Sequence, residues 1–82
     1  MSNISKEELS KIYGKVKFVH FSADYKVQID NFFPDLKVKI VDFFPNSEGK
    51  WQIVEHFPDF KIQIVNDFGD FKIKYVDAFP GI

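Results

Sequence analysis

The sequence predicts an all-β fold in which six strand-and-turn repeats close on themselves into a compact toroid. Three observations predict it: a repeat phased on Lys across residues 15–82, a period-two alternation of apolar and polar residues inside each repeat, and apolar rather than polar units at both ends of the array. Self-similarity at a fixed short period is the signature of repeat architecture. A ring is one of the few ways such an array avoids bare strand edges.

The units are residues 15–25, 26–36, 37–49, 50–60, 61–71 and 72–82. Five have eleven residues, and the third is longer by two because of the stretch Asn46-Ser47-Glu48-Gly49. The pattern is Lys, apolar, Lys or Gln, apolar, Val, polar, variable, Phe, Pro, Asp, apolar. Leu36, Val38 and Ile40 alternate with Lys37 and Lys39, and Tyr25-Val27-Ile29, Phe60-Ile62-Ile64 and Phe71-Ile73-Tyr75 repeat the alternation. Period two marks a strand with one buried and one solvated face. Most of the apolar residues are β-branched or aromatic, which suit a pleated surface. Val27, Ile29, Val38, Ile40, Ile53, Ile62, Ile64 and Ile73 are the expected core, with Trp51 read as core in the place of an aliphatic residue. Val41 directly follows Ile40, so the strand end is either covered on both sides or bulged.

Each strand leads into a turn. Phe33-Pro34-Asp35, Phe44-Pro45-Asn46 and Phe57-Pro58-Asp59 share one chemistry, and Phe68-Gly69-Asp70 substitutes Gly for Pro. Pro fixes φ at the second turn position, and Asp or Asn bonds nearby backbone. Phe recurs before the turn at Phe33, Phe44, Phe57, Phe68 and Phe79. Five bulky rings at equivalent places imply a shared core layer into which the turns fold back.

Residues 1–14 stand outside the repeat, which divides the chain into an N-terminal segment, a short helix or flexible, and one β-repeat domain over 15–82. Ser5-Lys6-Glu7-Glu8 reads as a capping box with Ile4 and Leu9 as its hydrophobic staple. Leu9, Ile12 and Tyr13 form one helical face, and Gly14 reads as a helix stop. A helix this short is marginal alone, so it docks on the β core or frays. Residues 1–4 are expected to be dispensable to the core.

Open repeat arrays end in units with polar outer faces. Here the first unit carries Phe18, Val19 and Phe21, and the last carries Ile73, Tyr75, Val76, Phe79 and Ile82. Closure follows. The Lys-apolar-Lys-apolar-Val-Asp units joined by short Phe-containing turns resemble the septoil-knot domain family, over almost all of 15–82. That resemblance implies a small bacterial β-repeat toroid whose backbone winds as a seven-crossing torus knot. It implies no established activity. Three departures from the pattern are Asp30 in place of Val, Ser22 in place of Phe, and the insertion in the third unit.

Composition narrows function. The net charge is -1 and all eleven basic residues are Lys, so the basic excess and the guanidinium forks typical of nucleic-acid binders are missing. There is no Cys, which removes disulfides and thiolate metal sites. The chain shows no secretory signal and no apolar run of membrane-spanning length, so a cytoplasmic monomer is expected.

The most regular polar feature is a Lys ladder. Lys15, Lys17, Lys26, Lys37, Lys39, Lys50, Lys61, Lys72 and Lys74 fall at the first or third place of a unit. Lys15, Lys26, Lys37, Lys50, Lys61 and Lys72 are the candidate polyanion-binding residues, a belt of positive charge. The simpler reading is that Lys keeps outward strand faces solvated and blunts edges, with Asp42, Glu55 and Asp77 offsetting the field. Asp24, Asp35, Asp59 and Asp70 would make a cation site only if the turns converged. Backbone-bonding turn residues are the better account of them. His20 and His56 sit at different places in their units, and no spacing supplies a third metal ligand. Ser22 two residues after His20 does not define a nucleophile and base. No metal, cofactor or catalytic set is expected. The sequence reading is a non-enzymatic structural or interaction module, with weak polyanion binding through the Lys belt as the alternative.

Overall fold

The computed structural model describes residues 4–82. Helix α1 (Lys6–Ser10) precedes six strands: β1 (Gly14–Phe18), β2 (Tyr25–Ile29), β3 (Leu36–Ile40), β4 (Lys50–Ile53), β5 (Phe60–Ile64) and β6 (Phe71–Tyr75). They close into a barrel in the order β1-β4-β3-β6-β2-β5, and every neighbouring pair is parallel. Both terminal strands are paired on both sides, β1 with β4 and β5, and β6 with β2 and β3.

The path of the chain around this ring is regular. Each connection moves two places in one sense, except β3 to β4, which are neighbours. Two strand spacings are about 10 Å, within reach of the six-residue loops 19–24, 30–35, 54–59 and 65–70. Each loop therefore passes outside one intervening strand and bonds it at both ends. Loop 19–24 flanks β5, with Val19 N–H donating to Ile62 C=O (2.9 Å) and Asp24 N–H to Lys61 C=O (2.8 Å). Loop 30–35 flanks β6 in the same way, loop 54–59 flanks β1, and loop 65–70 flanks β2. Residues 76–81 flank β3 through Val76 N–H to Val38 C=O and Gly81 N–H to Lys37 C=O.

A uniform two-place step requires a seventh place between β3 and β4. The C-terminal tail lands there. Gly81 pairs with Lys37 of β3, and its backbone lies so close to Gly49 that a Cβ on Gly49 would meet it at 2.5 Å. Ile82 N–H donates to Glu48 (2.8 Å). The tail thus sits between Lys37 of β3 and Glu48 and Gly49 at the end of loop 41–49, and β3 and β4 pair directly only at Lys39–Lys50 and Ile40–Trp51. Seven places visited two at a time are the winding of a seven-crossing torus knot.

Neighbouring strands are offset by two residues at every pairing, as in Val16 opposite Phe60 and Tyr25 opposite Ile62. Six such offsets give a shear of twelve residues, which tilts the strands about 55° from the barrel axis. A five-residue strand then contributes only about 8 Å of height. The result is a flat ring, 30 × 29 × 21 Å in extent.

That geometry sets the core. Strand positions 1–5 are counted from Gly14, Tyr25, Leu36, Gly49, Phe60 and Phe71. Position 3 forms the waist: Val16, Val27, Val38, Trp51, Ile62 and Ile73 are all fully buried. Position 1 lies at the amino mouth, where Leu36 and Phe71 are buried in one cluster with Leu9 of α1 and Ile12 just after it. Position 5 forms the carboxyl mouth, where Phe18, Ile29, Ile40, Ile53, Ile64 and Tyr75 are 38–47% exposed. The expectation of burial thus holds for Val27, Val38, Ile62, Ile73 and Trp51 and fails for Ile29, Ile40, Ile53 and Ile64. Alternation placed these four on the inner face, but so flat a ring covers only its waist and its plugged end. Ile62→Val is expected to cost about 1 kcal/mol and Ile64→Val roughly half of that, read as shifts in the urea midpoint.

The helix docks rather than frays. Ser5 caps it by accepting from Glu8 N–H (3.1 Å), the Trp51 indole N–H donates to Ile12 C=O (2.9 Å), and Tyr25 O–H donates to Glu8 (3.1 Å). Burial, then the Glu8 contact, raises the Tyr25 pKa and keeps its hydroxyl protonated. Tyr13, expected on the packed face, is half-exposed. Gly14 does not stop the helix, which ends at Ser10 with Lys11 as its C-cap. Gly14 opens β1 at φ 128°, where a Cβ would strike the Asp59 carboxylate at 2.5 Å. Of the segment 1–4, residues 1–3 lie outside the described residues, and Ile4 packs partly against the core.

Candidate interaction surface

The turn phenylalanines do not form a core layer. Phe33, Phe44, Phe57, Phe68 and Phe79 are 79–95% exposed, and Phe21, Phe32 and Phe43 stand out beside them at 74–86%. The physical reason is the winding: strand positions 1 and 3 already fill the interior, and the loops run outside the wall. Position 4 residues (Lys17, Gln28, Lys39, Gln52, Gln63 and Lys74) are accordingly half-buried on the outer face. Gln28 shows the packing directly, accepting from Gly69 N–H (2.9 Å) and donating to Asn66 C=O (3.1 Å) in the loop above it.

The loops hold their rings in an uncommon conformation. Phe44, Phe57, Phe68 and Phe79, and Ser22 at the equivalent place in the first unit, have φ between 55° and 59°. A bulky residue in the left-handed region costs about 1–3 kcal/mol. Phe33 escapes because Asp30 replaces Val. The Asp30 carboxylate accepts from Phe32 N–H (2.9 Å) and Phe33 N–H (3.1 Å) and re-forms the turn around itself. These bonds, with Lys72 at 3.7 Å, hold the Asp30 carboxyl below its ordinary pKa. The folded chain therefore takes up this proton less readily than the unfolded chain. The resulting stabilisation is complete above the ordinary carboxylate pKa and is lost as pH falls through the lowered one. Asp30→Asn is expected to flatten the acid limb of the stability curve.

Phe57→Gly is expected to leave stability unchanged or raise it by up to about 1 kcal/mol, because Gly adopts this φ freely and the ring buries little. A loss of about 3 kcal/mol or more, the cost of a core Phe, would contradict the exposed placement. The urea midpoint separates the two.

The turn acids act on backbone, but on that of another strand. Lys15 N–H donates to Asp59 (2.9 Å), Lys26 N–H to Asp70 (2.8 Å), Lys61 N–H to Asp24 (2.8 Å) and Lys72 N–H to Asp35 (2.9 Å). In each case the acid's own N–H donates to the same Lys carbonyl. The carboxylate completes a ladder rung where the chain enters from a turn. Glu48 plays the matching part for Ile82 and was missed in the sequence. Its signal was available, since it immediately precedes Gly49 as each Asp precedes its strand. Spread around the ring in this way, the acids do not converge, and among the described residues no group of three His, Asp or Glu is placed to hold a metal ion.

Lys15, Lys26, Lys37, Lys50, Lys61 and Lys72 all occupy strand position 2, one on each strand around the outer wall. Lys72 pairs with Asp30, while Lys50 and Lys72 are partly buried and the other four are exposed. The register also sets Lys17 beside Lys61, Lys37 beside Lys74, and Lys39 beside Lys50. His20 and Ser22 both lie exposed on the loop over β5. A shallow depression at the carboxyl mouth is lined by Phe18, Val19, His20 and Ile64. Among the described residues no helix is long and apolar enough to cross a membrane.

None of the curated proteins compared with the chain matches it. The family model of the 7(1) septoil knot domain matches residues 9–82, from within α1 to the threaded tail, and the chain belongs to that family.

Proposed function

We propose that this chain is a non-enzymatic interaction module, a rigid knotted ring that presents side chains on its outer loops to a partner. One observation carries the reading: eight phenylalanines are 74–95% exposed on loops bonded at both ends to the strand wall. Exposed apolar surface on this scale marks interaction sites, and backbone strain concentrates where function requires it. All strand edges are satisfied within the chain, which supports a monomer, and we place it in the bacterial cytoplasm. The test compares capture of cellular components by the wild type and by a variant with all eight phenylalanines changed to Ser. The variant should fold and lose its captured set. Identical sets would contradict the reading, as would turnover of any substrate in a hydrolase and transferase panel.

A second reading, weak polyanion binding through Lys15, Lys26, Lys37, Lys50, Lys61 and Lys72, draws support from the Lys side chains set beside one another in the register. The turn carboxylates held at Lys15, Lys26, Lys61 and Lys72 reduce the local field. Heparin binding that falls steeply with salt supports this reading, and no retention at low salt contradicts it.

A further inference from the structure

The two mouths of the ring differ. At the amino mouth Leu9 of α1 and Ile12 one turn later are buried in one cluster with Leu36 and Phe71, and the Trp51 indole N–H bonds Ile12 C=O. Among the described residues nothing comparable covers the carboxyl mouth. Phe18, Ile29, Ile40, Ile53, Ile64 and Tyr75 form a closed circle there and remain 38–47% exposed. Together they present on the order of 500 Å² of apolar surface, as much as the largest patch on a typical monomer. The depression at Phe18, Val19, His20 and Ile64 has a volume of only about 180 Å³. Small-molecule pockets begin at roughly 300 Å³, so the face suits another protein surface.

Charge is sorted along the ring axis. All nine lysines of the repeat lie at strand positions 2 and 4, and no unit carries Lys from position 5 onward. Counted on into the loops, position 7 holds His20, Glu55, Asp42, Asp77, Asn31 and Asn66 in ring order. The three carboxylates are therefore neighbours on one half of the rim, after β4, β3 and β6, and the other half carries none. Asp42, Glu55 and Asp77 are exposed, and among the described residues they have no hydrogen bond or ion pair. Asp67 adds an exposed acid one position further along its loop, while Asp30 is held by Lys72 and its own turn. Lys17, Lys39 and Lys74, the lysines next along the strands, are half-buried on the outer face.

We propose that the carboxyl mouth is a docking face for an amphipathic helix of a partner protein, whose apolar stripe covers the six mouth residues and whose lysines or arginines meet Asp42, Glu55 and Asp77. Width selects a helix. Six strands tilted about 55° make a ring about 16 Å across between Cα atoms. One helix, about 10–12 Å in diameter, spans it, and two do not. The amino mouth of the same ring is already closed by a helical turn with apolar side chains three residues apart. A second copy of the chain fits less well. About 500 Å² a side falls short of the roughly 800 Å² of a stable dimer, and two acidic faces repel. The half-rim of carboxylates orients the helix, with its basic flank toward β3. The loop phenylalanines take no part in this site, which lies outside the interaction reading above and stands or falls separately.

The probe is a helical peptide of about five turns with leucines on one face and lysines along a flank, beside a second peptide with glutamates in place of the lysines. Titration into isotope-labelled protein, followed through amide shifts, reads affinity and location together. The lysine peptide should bind saturably and shift the amides of strand positions 5–7, and the glutamate peptide should bind at least about tenfold more weakly. D42N/E55Q/D77N should lose about tenfold in affinity for the lysine peptide, and I40S/I64S a comparable factor. E7Q, which removes an exposed acid on α1, should change it by less than about twofold. The charge variant alters only exposed, unpaired side chains, so it tests the site even where a lowered urea midpoint shows that I40S/I64S is destabilised. No saturable binding of the lysine peptide, equal affinity for the two peptides, or unchanged affinity in D42N/E55Q/D77N overturns the proposal. Dimerisation that shifts the mouth amides without peptide also overturns it, in favour of a second copy. Shifts confined to the loops and abolished by the variant with all eight phenylalanines changed to Ser overturn the mouth and leave the interaction module standing.

Discussion

Trp51→Ala should lower stability by about 3–5 kcal/mol, the cost of emptying a large buried aromatic site. Trp51 is the largest fully buried side chain and the only Trp in the chain. The waist holds Val or Ile on every other strand, so an indole there needs compensating space. That space comes from glycine. Gly14 lies directly beside Trp51 in the β1–β4 register, and Gly49 lies two residues before it, just ahead of β4. The ring also ties α1 to the barrel through its bond to Ile12 C=O. Truncation therefore opens a cavity and leaves a carbonyl without its donor beneath the docked helix. Trp51→Phe keeps most of the volume and should lose only about 1–2 kcal/mol. Urea unfolding followed by far-ultraviolet circular dichroism measures both. A loss under about 1 kcal/mol for Trp51→Ala would show that the waist is not the stabilising layer.

Deleting Gly81 and Ile82 should cost about 3 kcal/mol, the sum of two backbone hydrogen bonds and one from backbone to a carboxylate at about 1 kcal/mol each. Those bonds are Lys37 N–H to Gly81 C=O, Gly81 N–H to Lys37 C=O, and Ile82 N–H to Glu48. The kinetic consequence is more specific. The tail occupies the seventh place of the winding, between Lys37 of β3 and Glu48 and Gly49, so the knotted chain must withdraw it before the strands separate. That requirement makes stability partly kinetic. The full chain should unfold slowly in water, and the truncated chain should unfold faster by more than its equilibrium loss alone predicts through the usual partition between folding and unfolding rates. Stopped-flow unfolding limbs extrapolated to water decide the matter. A full-chain half-life of seconds or less would remove the kinetic consequence of threading.

Much of the architecture was legible in the residues. Period-two alternation located the six strands, and the Lys at strand position 2 marked the outer wall because alternation in a strand is a local property of the pleat. The capping residue Ser5 was readable for the same reason. Closure was inferred from the apolar residues of the two end units, and the ring does close, yet of those residues only Ile73 is fully buried, while Phe18, Phe21, Tyr75, Phe79 and Ile82 stay exposed in the closed ring. The seven-crossing winding rested on resemblance, not on the residues themselves.

What local chemistry left undetermined was how much of each inner face is covered. Ile62 and Ile64 look alike in sequence and point the same way, yet one is fully buried and the other 42% exposed. The two-residue offset between strands makes the barrel so flat that only its waist is enclosed, and register is a property of pairing between distant units. The same holds for the turn phenylalanines. Phe is ordinarily a core residue, and nothing within a unit states that the interior is already full or that a neighbouring strand passes inside the loop. The turn acids Asp24, Asp35, Asp59 and Asp70 were read as bonding nearby backbone; they do bond backbone, but their partners lie 37 or 44 positions away and were chosen by the winding. The sequence by itself determined the strands, their inner and outer faces and the closure of the ring. The tertiary structure alone decided which inner residues are covered and where the loops stand, because those depend on the order in which the chain visits places around the ring.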